Sequence, residues 1–353
     1  MLKIARRIAI SLTALYLALW GLTLFIHYPA PFDAVRLGLA EPSETGRLMP
    51  ADQIKALSPA PWDDSAVDNS PMSVTYNGKS ISLEDFLMQT KTNAFLVIKD
   101  GKLVREQYFG GHDASSQLPS YSVAKSVVSI LTGQLIAEGK LKESDTFVSF
   151  FPEYKSGTKY DDITIAELLD MQSGVAVADN YPTGPSGWGA PIAQMYATTD
   201  LPNFILNHRD LYWAPGTDSE YRSVDTQMMG MILEKVTGKS LAQLATDRLW
   251  TPLGMEHAGT WNVDHIGGTT KAFCCLNIAA RDYAKLGNAL LGAQSGTSFG
   301  QVSANWANRM STPVTTLDYG WGYGAFTWHP AAGINLYLGL HGQFVYIDAA
   351  HNT

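Results

Sequence analysis

A long apolar run near the N-terminus constrains this 353-residue chain more than any other feature. Residues 8 to 26 are predominantly apolar, and nineteen residues extend about 28 Å as a helix, close to the thickness of a bilayer core. Lys3, Arg6 and Arg7 precede the run, and such a basic flank stays in the cytoplasm. The pattern predicts a signal anchor over residues 1–30, with a single pass through the inner membrane and the body in the periplasm or outside the cell. A cleaved signal peptide and a buried core helix are the alternatives, although no A-x-A cleavage site follows the run.

The next segment, residues 31–72, is rich in proline, serine and aspartate. This composition predicts a linker with little regular structure that lies over the surface of the folded part. The folded body is therefore expected over residues 73–353.

The body is predicted to run from strands to helices and back to strands. Residues 94–111 form two β-rich runs around Asp100-Gly101, a dipeptide suited to a type I′ hairpin turn. Four helices are predicted at 163–175, 225–238, 241–254 and 278–292, and strands at 322–329 and 334–350. This order predicts an α+β fold, in which an antiparallel sheet domain flanked by helices carries an inserted all-α subdomain at about 120–265.

Charge and cysteine content exclude several classes of function. The net charge of −8 and the lack of a basic patch argue against a nucleic-acid partner. Cys274 and Cys275 are adjacent, so no disulfide framework is expected, and both are predicted to be small hydrophobic residues on a buried strand. His257 and His265 are isolated and are expected to be structural. No metal or organic cofactor is predicted.

Ser122 and Lys125 form an S-x-x-K pair at the start of an apolar helix. The i, i+3 spacing places both side chains on one helix face. A serine hydroxyl becomes a good nucleophile only when a base takes its proton, and a lysine can be that base if burial lowers its pKa. The alternative is a first-turn serine with a lysine that reaches the surface. A second pair, Ser156 and Lys159, lies in a polar stretch and is predicted to be a loop.

Further elements give this pair a context. Tyr221-Arg-Ser223 lies directly before a long predicted helix. The string ELLDMQSGV lies earlier in the chain, and GLHGQFVYID lies near the end of the chain. Together they resemble the Y-x-N, LLxMxSG and K-T-G elements of the β-lactamase and penicillin-binding-protein superfamily of serine hydrolases, over about residues 73–353. The strings YRSVDT and AFCCLN resemble the branch of 6-aminohexanoate-dimer hydrolases and related esterases.

The resemblance implies a role for each matched residue. Ser122 would be the acylated nucleophile, Lys125 its base, and Tyr221 the phenol that relays a proton to the leaving group, with a pKa lowered by the charge of Lys125. The backbone N–H groups of Ser122 and Gln343 would form the oxyanion hole, with Gly342 in the place of the K-T-G glycine.

The chain departs from the family pattern at three places. Ser223 replaces the Asn of Y-x-N, and Leu340, followed by His341, occupies the place of the K-T-G lysine. The missing cation argues against a substrate carboxylate held as in β-lactams. The chain ends soon after this strand, whereas the family continues, so the hydrolase domain is expected to be truncated at its C-terminus.

An aromatic segment between residues 178 and 216 is implied to form the wall of the acyl pocket. By family position its side chains would contact substrate, although each ring could instead pack the helical block. The rings are Tyr181, Trp188, Tyr196 and Trp213.

These observations predict a serine hydrolase that cleaves a small-molecule amide or ester through an acyl-serine intermediate. One alternative is a β-lactamase or D,D-peptidase. Another is a catalytically inactive binding module on the same scaffold, which would have no need of Ser122, Lys125 and Tyr221 together.

Overall fold

The architecture is taken from a computed structural model that describes residues 2–181, 189–296 and 301–353. The helices in this part of the chain are α1 (Leu2–Phe25), α2 (Pro31–Leu39), α3 (Leu83–Gln89), α4 (Val123–Ala137), α5 (Phe147–Phe150), α6 (Ile165–Leu169), α7 (Pro191–Ala197), α8 (Leu201–Asn207), α9 (Ser223–Thr237), α10 (Leu241–Ala245), α11 (Thr251–Leu253), α12 (Ala280–Gln294) and α13 (Ala304–Met310). The strands are β1 (Ala51–Ile54), β2 (Ser73–Tyr76), β3 (Lys79–Ser82), β4 (Ala94–Lys99), β5 (Lys102–Tyr108), β6 (Leu118–Pro119), β7 (Gly259–Asn262), β8 (Leu276–Ile278), β9 (Thr315–Thr316), β10 (Gly322–Gly324), β11 (Thr327–His329), β12 (Ile334–Leu338) and β13 (Phe344–Asp348).

The described strands pair in antiparallel sheets. One sheet has the order β1-β7-β8-β6 and another has the order β13-β12-β11-β10-β9. The hairpins β2-β3 and β4-β5 pair separately. Helices α4 to α11 lie in sequence between β6 and β7, which is the α+β arrangement that the order of predicted elements indicates.

Two local predictions match the backbone closely. Asp100 and Gly101 both have positive φ angles, 53° and 75°, as a type I′ turn between β4 and β5 requires. Gly238 has a φ of 64° and ends α9 in a left-handed cap. The helix predicted at 163–175 is shorter than expected, because Met171 has a φ of 58° and cannot continue the helix.

The prediction of little regular structure is wrong for residues 31–54. This part contains α2, a 3₁₀-helix over Pro42–Leu48 and strand β1, which pairs with β7. The side chain of Asn262 donates to the backbone oxygens of Gly46, Met49 and Pro50, so polar side chains of the body hold a proline-rich backbone in place. Composition alone missed this, because the stabilising partners lie more than two hundred residues away.

The helix that carries Lys125 is buried along most of its length. Val123 to Gly133 are all buried in α4, which packs against α9. Gly230 lets α9 approach the turn before β8, since a Cβ there would lie 2.2 Å from the Cβ of Ala272. This close packing brings the backbone of Phe273 to the buried end of Lys125.

The prediction for the two cysteines is also wrong. Cys274 and Cys275 form a disulfide bond with each other, and they lie in the turn that precedes β8 rather than on a strand. Cys275 has a φ of 72°, so the turn places the two neighbouring side chains within bonding distance. Both residues are buried, as expected.

Candidate active site

Ser122 and Lys125 meet at the N-terminal end of α4. Lys125 Nζ lies 2.8 Å from Ser122 Oγ, 2.9 Å from Ser223 Oγ and 2.9 Å from the backbone oxygen of Phe273. Lys125 is only 1% exposed, whereas Ser122 is partly exposed. The serine makes no side-chain cap to the helix, and the lysine does not reach the surface. The structure therefore does not support the reading of this pair as a helix cap followed by a surface lysine.

The hydrogen bonds around Lys125 define where a proton can go. Ser223 Oγ donates to Asp179 Oδ2 at 2.6 Å, so it can only accept from Lys125. The Phe273 oxygen is a carbonyl and can also only accept. In a neutral Lys125 both N–H bonds are thus used, and the lone pair of Nζ is directed at Ser122. This arrangement is the one that a base needs to take the serine proton.

Burial makes a neutral Lys125 accessible near physiological pH. It lowers the pKa of Lys125 to about 8, while the charges of Asp179 and Asp225 act in the opposite direction. A lysine in water has a pKa of about 10.4 and would be almost fully protonated at neutral pH. The environment therefore supplies the lowered pKa on which the sequence-based prediction for Lys125 depends.

Tyr221 is close to the same two residues. Lys125 Nζ lies 5.0 Å from the centre of the Tyr221 ring. Burial nevertheless raises the pKa of Tyr221 well above its ordinary value, and the charge of Asp179 adds to this. The predicted lowering by Lys125 is wrong, because burial outweighs the neighbouring amine. Tyr221 is therefore a protonated phenol, suited to donating a proton rather than to acting as a phenolate base.

The residue before Ser122 has an unusual backbone. Tyr121 has a φ of 43°, a region that costs a non-glycine residue about 1–3 kcal/mol. Its phenol donates to the Pro42 oxygen at 3.1 Å and lies 3.2 Å from Thr45 Oγ1. The segment predicted to be a linker thus supports the backbone that positions Ser122.

Asp179 was not identified from the sequence. Its Oδ1 accepts from the Ser223 backbone N–H at 2.8 Å, and its Oδ2 accepts from the Ser223 hydroxyl at 2.6 Å and from the Tyr181 phenol at 3.0 Å. Ser223, in the place of the family's Asn, is held toward Lys125 by this carboxylate. No motif could have revealed it, since Asp179 lies 44 residues before Ser223 in a loop.

A second carboxyl group, Asp225, lies on the buried side of the site. Burial raises its pKa to about 8, and Ser173 donates a hydrogen bond to its Oδ1. Asp225 is therefore mostly protonated at neutral pH. In the ranges 2–181, 189–296 and 301–353, no group of three or more histidine, cysteine or acidic side chains could hold a metal ion.

The residues matched to the third element lie in a turn between β12 and β13, not within a strand. The ring of His341 contacts the ring of Tyr121 edge-on at 4.6 Å. Gly342 has a φ of 85°, and its N–H donates to the Gly339 oxygen. A Cβ on Gly339 would lie 2.7 Å from the Ser120 oxygen, so the turn packs directly beside the nucleophile. The oxyanion role of the Gln343 N–H stays a prediction.

The aromatic residues predicted to form the pocket wall do not all lie at the site. Tyr181 contacts Asp179 at the site, whereas Trp188 lies outside the described residues. Trp213 packs against Arg222, with 4.6 Å between the guanidinium carbon and the ring centre. The backbone oxygen of Tyr196 accepts from Lys271.

A different aromatic cluster surrounds Tyr221. The ring of Trp328 stacks on Tyr221 at 5.3 Å, and Tyr323 meets Tyr221 edge-on at 5.9 Å. Tyr319 and Trp321 extend the cluster toward the surface. Sequence reasoning missed this wall, although the dense run of aromatic residues from 319 to 328 was the available signal.

Comparisons with known proteins give the chain a family context. The family model described as Beta-lactamase matches residues 82–353. A 6-aminohexanoate-dimer hydrolase from Paenarthrobacter ureafaciens is 26% identical over 277 residues, which are 74% of this chain and 66% of the relative. A Beta-lactamase from Escherichia coli strain K12 is 28% identical over 143 residues, 40% of this chain and 33% of the relative. The chain thus spans between a third and two thirds of the length of these curated relatives.

A solved structure shares the fold over nearly the whole chain. It is a Bacillus anthracis protein assigned as a 6-aminohexanoate-dimer hydrolase, with a TM-score of 0.77 and 22% identity. The match covers 92% of this chain and 87% of that protein. The predicted α+β fold with an inserted helical block is confirmed.

Proposed function

Because the chain belongs to the beta-lactamase family, we propose that it is a serine hydrolase that cleaves an amide or ester bond through an acyl-Ser122 intermediate. One observation carries the proposal: the two N–H bonds of a neutral Lys125 have fixed acceptors in Ser223 and Phe273, which leaves its lone pair for the Ser122 proton. The similarity to a protein named 6-aminohexanoate-dimer hydrolase supports an amide of this general kind as substrate.

The proposed reaction follows from the positions of three side chains. Ser122 Oγ forms a bond to the substrate carbonyl carbon while its proton moves to Lys125 Nζ. The resulting oxyanion is held by the backbone N–H groups of Ser122 and Gln343. When the bond to the leaving group breaks, Tyr221 gives that group a proton and regains one from Lys125. Water then attacks the acyl-serine ester and gives a proton to Lys125, which passes it to Ser122 Oγ as the ester bond breaks and the acid is released.

We further propose that α1 anchors this enzyme in the inner membrane with the body in the periplasm or outside the cell. Lys3–Phe25 is a helix long and apolar enough to cross a bilayer, and none of its apolar window is buried in the body. The basic residues that precede the apolar run support a cytoplasmic N-terminus. The limit of the anchor at residue 30 belongs to this proposal, whereas β1, which lies before the predicted limit at residue 72, pairs with β7 of the body.

Intact-mass spectrometry tests the proposed nucleophile. The detergent-solubilised chain is exposed briefly to p-nitrophenyl acetate, alongside Ser122→Ala and Ser156→Ala. We expect an acetyl adduct in the parent chain and in Ser156→Ala, mapped to Ser122, and none in Ser122→Ala. An adduct that persists in Ser122→Ala would contradict the proposal. A folded parent chain that forms no adduct with any ester or amide offered would favour a binding module.

Nitrocefin distinguishes the amidase or esterase from a β-lactamase. Leu340 takes the place of the family lysine and is exposed, so it offers no charge to a β-lactam carboxylate. We expect ester or amide turnover to exceed nitrocefin turnover. The reverse order would identify the substrate class as β-lactams and leave the nucleophile assignment intact.

A further inference from the structure

Helix α2 exposes an apolar side that the body does not cover. Phe32 is 64% exposed, Val35 50% and Leu39 80%. Their spacing of i, i+3 and i+7 places them on one helix face. Ala34 and Leu37, on the other side, are half-buried. A nine-residue helix therefore presents three large apolar side chains to its surroundings.

The position of α2 indicates what these surroundings are. The apolar helix Lys3–Phe25 has 23 residues and extends about 35 Å, slightly more than a bilayer core. Its last turn therefore emerges at the lipid–water boundary. Residues 26–30 can span at most about 18 Å, so α2 begins near that boundary.

The body contacts the chain at the same exit point. The His27 oxygen accepts from the Thr199 N–H at 2.9 Å and from the Thr198 hydroxyl at 3.1 Å. The His265 ring lies 3.1 Å from the Thr199 oxygen. The next residue, Ile266, is 89% exposed, so a further apolar side chain projects from the part of the body that contacts this exit point.

We propose that Phe32, Val35, Leu39 and Ile266 form a lipid-contacting surface that lies on the outer boundary of the bilayer. The inference rests on the proposed anchoring by α1. An interfacial helix buries its apolar side about 5–10 Å into the boundary between headgroups and acyl chains. Arg36, whose guanidinium lies 5.8 Å from the Phe32 ring, stands at the edge of this surface and can reach lipid phosphates.

This surface would hold the active site at a set distance from the membrane. After α2 the chain enters the 3₁₀-helix Pro42–Leu48, in which Thr45 and Pro42 contact the phenol of Tyr121. Tyr121 is the residue directly before Ser122. The body is thus docked on the bilayer by fixed contacts, rather than suspended on a flexible tether.

Spin-label accessibility in lipid tests the proposal. The full chain is reconstituted in phosphatidylcholine and phosphatidylglycerol vesicles with a nitroxide on Phe32→Cys, Leu39→Cys or Ile266→Cys. Asp33→Cys, at an exposed polar position on the flank of α2, and Lys239→Cys, on the body, are the matched controls. The native cysteines are buried and bonded to each other, so they do not compete for the label. We expect the three surface labels to be reached by oxygen and protected from a nickel chelate, and both controls to be reached by nickel.

A label at Leu17→Cys separates this proposal from the anchor itself. If Leu17 is in lipid while the Phe32, Leu39 and Ile266 labels are fully exposed to nickel, the lipid-contacting surface is refuted and the anchor stands. If Leu17 is also exposed to nickel, both proposals fail. Protection accompanied by spin–spin broadening that grows with protein density would assign the surface to a second copy of the chain, and would overturn the proposal.

Discussion

The chain contains two S-x-x-K pairs with the same spacing and very different surroundings. Lys125 is buried and directs its amine at Ser122. Lys159 is exposed and pairs with Asp162 at 3.0 Å. Ser156 bonds instead to Thr158 and to the carboxylate of Asp161. The spacing brings a serine and a lysine near each other, but burial and the neighbouring acceptors decide whether the lysine can be a base.

A cavity adjoins the second pair, but it does not bury Lys159. A surface concavity of about 610 Å³ adjoins it, lined by Ser156, Lys159, Arg209 and Trp213 among others. Lys159 remains exposed beside this cavity and pairs with the exposed carboxylate of Asp162. The first pair combines a partly exposed serine with a buried lysine, and this combination, rather than pocket volume, distinguishes the candidate site.

Replacing each lysine in turn should give the largest difference in acylation rate between the two pairs. We expect Lys125→Met to lower the acylation rate by about 10²–10⁴-fold, the usual contribution of a general base. Lys159→Met should leave the rate unchanged, since its amine contacts only an exposed carboxylate. Stopped-flow release of p-nitrophenol measures both. If the two substitutions lower the acylation rate equally, Lys125 is not the base of the reaction.

The pH dependence of the acylation rate tests a second difference between the surroundings of Lys125 and Lys159. Lys125 must be neutral to accept the serine proton, so the rate should rise with pH and level off above its pKa of about 8. The charge of Asp179 raises that pKa, and Asp179→Asn should therefore move the rising limb toward lower pH, by about one unit. Asp162→Asn, next to the other lysine, is the control and should not move it. If the acylation rate of Asp179→Asn rises over the same pH range as that of the parent chain, Asp179 has only a structural role.

The fold and the proximity of Ser122 and Lys125 could be predicted from sequence because their signals are local. The S-x-x-K spacing, the Asp100-Gly101 turn and the Gly238 helix end each depend on residues that are neighbours in the chain. The resemblance to a known family then supplied the long-range arrangement of these elements.

The rest of the site depends on contacts that no local pattern records. The Phe273 carbonyl is a backbone atom, and it reaches Lys125 only because a glycine lets α9 approach the preceding turn. The pKa of Tyr221 was predicted in the wrong direction, because burial is produced by side chains from other segments, including Trp328 and Tyr323. The support of Tyr121 by Pro42 was missed, since a proline-rich composition suggests a tether.

The last comparison is between the acids beside the two pairs, and it concerns stability rather than rate. Asp225 is buried and its pKa is raised to about 8, whereas hydrogen bonds from Ser156 and Gly157 lower the pKa of the exposed Asp161. A group whose folded-state pKa is raised costs stability as pH increases from its unfolded value of about 3.9 to 8. Asp225→Asn keeps a partner for Ser173 and cannot ionise. Asp225→Asn should therefore reduce the pH-dependent loss of unfolding free energy by up to about 1.4 kcal/mol per pH unit. It should change the acylation rate at pH 7 little.

The matched control for this prediction is Asp161→Asn. The carboxylate of Asp161 is already ionised above pH 5, so its replacement should change the unfolding midpoint by the same small amount at every pH between 5 and 8. Thermal unfolding of the solubilised chain at several pH values in this range measures both variants. The midpoint of Asp225→Asn should rise relative to the parent chain as pH increases. A constant difference would mean that Asp225 is ionised throughout, and that the buried surroundings of the first pair tolerate a second negative charge beside Asp179.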